Sequence, residues 1–243
     1  MTVIGILECG QTDPDWIEEH GEMADPFPRF LGQVSKALTY KIYKAHIHQL
    51  PKQADECDAW LITGSPLSVY ERPAWLTELS DFLVEAVKTS PVVGICFGHQ
   101  LLHDALGGKV EHTNQWGIGV QEYHLKIQPG WAPTEEQLSA FHLIAFHQDQ
   151  VTQAAPNTNV LAGNDFCPLG ITTIGDNVFT IQAHPEMTTK LASDLYESQR
   201  ELHGAEKTNR AVQSLQGRID GKLAAEWVLA FIQDRFNHLT SSK

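Results

Sequence analysis

Basic residues are scarce in this chain. It holds 17 lysines and arginines against 30 aspartates and glutamates over 243 residues, a formal net charge of −13 with histidine neutral. Phosphate contacts need local positive charge, and no stretch gathers lysine or arginine into a cluster. The composition therefore reads against nucleic acid as a partner and against docking to an anionic membrane. Long apolar runs are missing too. Trp227 to Ile232 is far too short to cross a bilayer. The opening MTVIGILECG has no basic start and only a short apolar run, so it does not read as a signal peptide, and a cytoplasmic protein is expected. Cysteine is sparse: Cys9, Cys57, Cys96 and Cys167 lie far apart and form no CxxC pair. Such isolated residues read as reduced thiols rather than disulfides or a metal site. No GxxxxGK[ST] loop is present, so no ATP site of that type is expected.

What is present is an ordinary globular composition. Hydrophobic residues make up 42%, enough for a chain of this length to bury a sizeable core. Val3 to Leu7, Tyr40 to Ile47, Ala59 to Ile62 and Val92 to Ile95 read as strands. Helical spacing runs over Pro28 to Leu38, over Trp75 to Val87, and from Gly98 to the stop at Gly107-Gly108. This βαβα rhythm with continuous apolar strands implies a parallel sheet covered on both faces. Further on, Val120 to Ile127, Leu143 to Phe146, Gly170 to Ile174 and Val178 to Ile181 are strands with little helix between them, so antiparallel pairs are expected. Gln128 to Glu136 reads as a Pro/Gly-containing connection. Leu223, Trp227, Val228, Phe231 and Ile232 form one apolar face of a terminal helix.

The most informative stretch is Pro91 to Gln100, an apolar strand followed by Gly94-Ile95-Cys96-Phe97-Gly98 and a helix. With serine at the centre, this pattern is a nucleophile elbow, a sharp turn that lifts the reactive atom above the sheet. Small residues on either side let neighbouring backbone approach closely. A thiol there sits at a helix N-terminus, where the dipole favours thiolate, and the Phe97 N–H points where an oxyanion forms. The competing reading is a buried core thiol at a strand end. A candidate base follows another apolar strand, in His184-Pro185-Glu186. Proline biases His184 towards an extended conformation, in which residues two apart share a face. His184 and Glu186 then project together, the carboxylate orienting the imidazole. A thiol elbow and a strand-end His-x-Glu, both at carboxyl ends of strands, fit nucleophilic catalysis by Cys, His and carboxylate.

At these residues the chain resembles the class I glutamine amidotransferases, glutaminase modules that feed ammonia to synthetases. GICFGHQ, residues 94–100, is similar to their nucleophile motif and AHPEM, residues 183–187, to their second motif. Leu61 to Tyr70 resembles the family's glycine loop, which contributes the other oxyanion N–H. Ala105 to Val110, Gly117 to Val120 and Phe146 to Val151 match further segments, so the resemblance spans roughly Thr2 to Glu186. It implies a flavodoxin-like α/β fold: a mostly parallel central sheet with helices on both faces, a mixed or antiparallel region, and C-terminal helices. One catalytic domain over 1–243 is expected, with a core of about 2–187 and helical elements over about 188–238. It implies a γ-glutamyl thioester on Cys96, with His184 as base and Glu186 as its orienter. Gly64, Ser65 and Phe97 would form the oxyanion hole, and Gln100, His147, Gln148 and Asp149 would contact substrate. No metal or cofactor is implied. The family's loop commonly has two adjacent glycines, and here the second is Ser65, which leaves open whether the N–H of residue 64 or 65 serves.

Three readings compete. A glutaminase subunit would hand ammonia to a synthase partner. A stand-alone γ-glutamyl hydrolase or peptidase would act on a small-molecule γ-glutamyl substrate and release the amine to water. A silent binding module would have lost turnover. The stretch from Thr188 to Lys243 is long for a minimal glutaminase subunit and favours the free-standing form. His99 and His103 are four apart on a helix like a zinc pair, but Gln100 stands where a metalloprotease needs glutamate. His46 and His48 are placed on one strand face with no third ligand near them. Both pairs read as packing or hydrogen-bonding groups.

Overall fold

The computed structural model describes residues 2–133 and 138–241. One nine-stranded sheet runs through it. The strands are β1 (Thr2–Glu8), β2 (Leu38–Lys44), β3 (Ala59–Ile62), β4 (Val92–Ile95), β5 (Lys109–Leu125), β6 (Ala140–Gln153), β7 (Thr158–Gly163), β8 (Ile171–Ile174) and β9 (Val178–Ile181). Their order is β2-β1-β3-β4-β9-β8-β7-β5-β6. The first five are mutually parallel and follow the doubly wound 2-1-3-4-5 order, with β9 in fifth place. The remaining pairs are antiparallel. The parallel half thus places the ends of β1, β3, β4 and β9 along one edge.

The helices are α1 (Pro14–His20), α2 (Pro26–Gly32), α3 (Ala74–Ala86), α4 (Phe97–Ala105), α5 (Thr189–Ser198), α6 (Arg200–His203), α7 (Ala205–Ser214) and α8 (Gly221–Ser241). Strand alternation separates two cores. Ile4 and Ile6 of β1 join Phe27, Phe30 and the expected α8 face, Leu223, Trp227, Val228, Phe231 and Ile232. Leu7 packs on the other side with Leu76, Leu79 and Leu83 of α3 and Phe97, Leu101 and Leu102 of α4. A third cluster holds α5 and α7 against the β5–β6 arms through Ile118, Ile144, Tyr196, Ala211 and Leu215. The Tyr196 hydroxyl donates to the Ala145 carbonyl at 2.9 Å, and Gly119, at φ 87°, makes room for Ala211.

Several boundaries differ from the sequence expectation. The strand expected over Tyr40 to Ile47 ends at Lys44, and Ala45–Ile47 is a 3₁₀ turn with His48 at φ 62°. His46 and His48 therefore do not share a strand face: His46 meets the Glu8 carbonyl and His48 meets Glu78. The helix expected over Pro28 to Leu38 is Pro26–Gly32, opened by proline in its first turn. The strands expected over Val120 to Ile127 and Leu143 to Phe146 are parts of two long arms, β5 and β6. Polar residues 113–115 break the apolar rhythm of β5, which hides its continuity. β7 was not anticipated. The connection placed at Gln128 to Glu136 lies partly outside the described residues.

Trp227 is fully buried, edge-on to Phe141 at 4.9 Å and to Trp131 at 5.7 Å. Trp227→Ala should lower unfolding free energy by about 3–5 kcal/mol in urea titrations. Leu202→Ala, at a side chain 64% exposed, should change it by no more than about 0.5 kcal/mol. Equal losses would mean that α8 is not a core element.

Candidate functional site

Cys96 joins β4 to α4. Its backbone stands at φ 50°, ψ −101°, a conformation L-residues rarely adopt. The turn is anchored on both sides: the Cys96 N–H donates to the Ile181 carbonyl at 2.8 Å, and the Gln100 N–H to the Cys96 carbonyl at 3.1 Å. The flanking glycines are required by space. A Cβ on Gly94 would meet the Gly98 carbonyl oxygen at 2.4 Å, and one on Gly98 would meet Ile62 at 2.7 Å. The G-x-C-x-G spacing is thus a packing requirement of the elbow.

Because β4 and β9 are paired in register, the chain leaving β9 arrives beside the thiol. Gln182 donates its side-chain amide to the Cys96 sulfur at 3.7 Å. The His184 N–H donates to the Ile144 carbonyl of β6 at 2.8 Å, and its Nδ1 meets Glu186 Oε1 at 2.8 Å. All three side chains are buried or nearly so, Cys96 at 7% and His184 at 8% exposure. Burial alone pushes the imidazole pKa down. The charge of Cys96 and that of Glu186, with hydrogen bonds to both, outweigh it and hold His184 well above its ordinary value.

The loop after β3 forms the opposite wall. A Cβ on Gly64 would lie 3.1 Å from His184 Cε1, so this backbone sits directly on the imidazole. The Thr63 hydroxyl donates to the Gly64 carbonyl at 2.8 Å and accepts the Cys9 N–H at 3.0 Å. Ser65 Oγ accepts the Leu67 N–H, and Phe97 is the first residue of α4. Gln100 donates to the Asp149 carbonyl at 2.9 Å and to Gln182 at 3.2 Å. Gln148 offers its carbonyl to Thr113. The Asp149 carboxylate accepts from Ser68, from Tyr70 at 3.0 Å and faces His112 at 3.3 Å. It therefore clamps the β3 loop to β6. The fold brings together Cys96, His184, Glu186 and Gly64, with Gln100 linked to Cys96 through Gln182. His147 lies within electrostatic reach of His184, and Gln148 is tied to β5 through Thr113. Gln182 and Thr63 escaped the sequence reading. Gln182 could have been found, since it shares the strand-end alternation of His184 and Glu186.

Beneath α4 lies a buried polar chain with a fixed direction. The Ala155 N–H donates to His103 Nδ1, so the His103 proton sits on Nε2, which donates to Thr172. Thr172 then donates to Thr180 at 2.6 Å, and Thr180 to His99 Nδ1 at 2.7 Å. The pair that resembled zinc ligands is thus two neutral rings stacked edge-on at 4.8 Å. Burial drives His99 well below its ordinary pKa and His103 down to about 4. His147, also buried, is lowered to about 4, while its Nδ1 donates to the Asp149 carbonyl. Among the described residues, one His/Asp/Glu group lies within ligand distance of itself, Glu19, His20 and Asp194, and Lys190 pairs with both of its carboxylates.

Comparison with known proteins gives a consistent picture. The family model described as "Glutamine amidotransferase class-I" matches residues 30–200. γ-Glutamyl peptidase 3 of Arabidopsis thaliana is 28% identical over 149 residues, covering 58% of this chain and 59% of that protein. The glutamine-hydrolysing GMP synthase of Azoarcus sp. (strain BH72) is 28% identical over 178 residues, covering 65% of this chain and 33% of that protein. The match therefore spans about three fifths of the peptidase and a third of the synthase. Among solved structures, a glutamine amidotransferase from Methylobacillus flagellatus superposes with a TM-score of 0.72 at 18% identity, over 98% of this chain and 94% of its own. One from Thermotoga maritima does so at 0.70 and 16%, over 96% of each chain. At those identities the likeness speaks for the fold.

The neutral histidines set a pH dependence. His103 and His147 bind a proton less readily folded, at about 4, than unfolded, at about 6.5. Between those values the unfolded chain binds more protons, so their contribution is complete above pH ~6.5 and is lost as pH falls towards ~4. The urea midpoint should therefore decline across this window. In His103→Gln the decline should be shallower, from a lower value at pH 7. Parallel declines in the two proteins would show that His103 is not held neutral.

Proposed function

We propose, since the chain belongs to the class-I glutamine amidotransferase family, that it is a cysteine amidohydrolase cleaving the γ-amide of glutamine or of a γ-glutamyl compound. The observation that carries this reading is the strained Cys96 turn beside a His184 whose Nδ1 is held by Glu186 at 2.8 Å. With Nδ1 engaged, Nε2 is left for the thiol, and the raised His184 pKa suits the imidazole to take and hold the proton that the sulfur gives up as nucleophile. The sulfur attacks the γ-carbonyl, and its electron pair moves onto oxygen. His184 then gives its proton to the departing nitrogen, leaving a γ-glutamyl thioester. Water, deprotonated by the now neutral imidazole, attacks the thioester; glutamate leaves and the sulfur recovers its charge.

The developing oxyanion needs two donors. Phe97 N–H, at the start of α4, is one. The Gly64–Ser65 peptide offers the other. A trans peptide points its C=O and N–H in opposite directions, and Thr63 holds the Gly64 carbonyl. This favours the Ser65 N–H as the second donor. Gln100, His147, Gln148 and Asp149 would shape the wall that receives the substrate, with Gln100 on its glutamyl portion.

Likeness to the γ-glutamyl peptidases supports a free-standing hydrolase acting on a small γ-glutamyl molecule. Likeness to the synthase supports a second reading, a glutaminase that passes ammonia to a partner. Glutamate release by the isolated chain separates them: a free-standing enzyme turns over a γ-glutamyl amide without partner, ATP or metal, whereas a subunit stays slow until its synthase is added.

Cys96→Ala should abolish glutamate release, and His184→Ala should lower it by orders of magnitude. Glu186→Gln should do less harm, because an orienting group matters less than the nucleophile or base. Thr63→Val should lower kcat about tenfold, short of the ~10²–10³ lost with a whole oxyanion donor. Acid-quenched enzyme should carry a γ-glutamyl adduct on Cys96 in mass spectra; rapid release with no adduct, even in a slowed His184 variant, would exclude the covalent route. Iodoacetamide should label Cys96 before the other thiols, since burial raises the pKa of Cys9 and Cys57 and pushes Cys167 up to about 12.

A further inference from the structure

β5 leaves its ladder with β6 between His112 and Gly117. The released residues, with the loop between β7 and β8, surround a cavity of about 370 Å³ lined by Thr113, Asn114, Gln115, Gln150, Asp165 and Phe166. This cavity adjoins the site. The Phe166 ring packs on His147 at 5.5 Å, and His147 is near enough to His184 for their charges to oppose each other. Gln150 directly follows Asp149, whose carbonyl leads through Gln100 and Gln182 to the Cys96 sulfur.

The lining is unlike ordinary surface. Gln150 is only 7% exposed, yet among the described residues nothing donates to or accepts from its side-chain amide, which faces the cavity. Its amide oxygen and nitrogen are therefore free to meet a polar group that enters the cavity. Phe166 supplies an apolar wall. Asn114 and Gln115 add amides at the mouth. Asp165 is the one charged side chain in the lining. Lys207 lies outside the lining, its ammonium donating to the Trp116 carbonyl at 2.5 Å. The cavity thus offers a carboxylate and neutral amides, and no cation for an incoming carboxylate.

We propose that this cavity receives the leaving group, and that it selects γ-glutamyl amides of amines carrying a second positive charge over those carrying a carboxylate. The proposal rests on the γ-glutamyl hydrolase reading for the chemistry. Its charge preference comes from Asp165, and its tolerance for polar chain from Gln150.

The test is a ratio. Glutamate release is measured with the γ-glutamyl amide of 1,4-diaminobutane and with γ-glutamylglycine, and kcat/KM for the first is divided by that for the second. The ratio should be at least about fivefold in the native protein, the size of one exposed ion pair. It should fall towards one in Asp165→Asn and return in Asp165→Glu. Each ratio is taken within one protein, so a general loss of folding or activity cancels. A native ratio of one or less, or a ratio unchanged in Asp165→Asn, overturns the proposal. If no amide is turned over at all, the hydrolase reading falls, and binding decides the cavity separately. Calorimetry with the Cys96→Ala protein should show tighter binding of the diaminobutane amide than of γ-glutamylglycine, with the difference lost on adding Asp165→Asn. Equal affinities, or no binding of either compound, would overturn the cavity assignment.

Discussion

The rest of the site depends on one backbone turn, the positive-φ junction at Cys96. A non-glycine residue in that region costs of order 1–3 kcal/mol and persists only where its surroundings over-determine it. Here they do. β4 is held between β3 and β9, so its end cannot swing. The Cys96 N–H is tied to the Ile181 carbonyl, and the first turn of α4 closes on the Cys96 carbonyl. Gly98 lets α4 lie directly on Ile62, and Gly94 lets the helix start pass over the strand. A side chain at either glycine would push the helix outward and relax the turn. The same two neighbours, β3 and β9, go on to deliver the Gly64 loop and His184. The strain and the convergence of the site are therefore consequences of one strand order.

Polar groups below α4 complete the support. The chain from Ala155 through His103, Thr172 and Thr180 to His99 links the helix to β8, β9 and the segment after β6. Each hydroxyl accepts from one side and donates to the other, so the tautomers follow from one fixed donor, the Ala155 N–H. The chain ends at the His99 Nε2–H, which is buried and has no partner among the described residues. These links give the helix a single rotational setting, and with it the Gln100 contacts to Gln182 and Asp149.

The parallel half, and the placing of Cys96, His184 and Glu186 beside one another, were legible because local sequence dictates them. Val92-Val93-Gly94-Ile95 must be a strand buried on both faces. The glycines about Cys96 announce a close approach, and His184-Pro185-Glu186 announces an extended exit. The antiparallel half was harder. In β5 the residues around the bulge are polar and exposed, because they line a cavity instead of facing a core, so no period of two survives there. The 3₁₀ turn after β2 was hidden by apolar residues that still alternate. The packing of α5 and α7 on β5 and β6 depends on residues about fifty to a hundred apart in sequence, such as Ile144 with Tyr196 and Ile118 with Ala211. Thr63 was missed because its importance comes from the atoms it touches, the Gly64 carbonyl and the Cys9 N–H, whereas Gln182 shares the alternation of His184 and was open to the same reading.

Burial of Cys96, His184 and Glu186 together imposes an electrostatic balance on the imidazole. An imidazole taken out of water resists protonation, and desolvation is the largest influence on His184. Two unit charges 4 Å apart attract by about 4 kcal/mol at an effective dielectric of about 20. A single partner of that strength is comparable to the penalty of several kcal/mol for burying one ion, and would leave the proton poorly held. His184 faces two negative partners, Cys96 and Glu186, and the sum reverses the sign of the shift. Glu186 in turn has one carboxylate oxygen on Nδ1, and the other is buried with no partner among the described residues. In the proposed reaction the attacking sulfur carries no charge once it has bonded to carbon, so one of the two attractions would disappear. The His184 proton would then be held less tightly, at the step where it passes to the departing nitrogen.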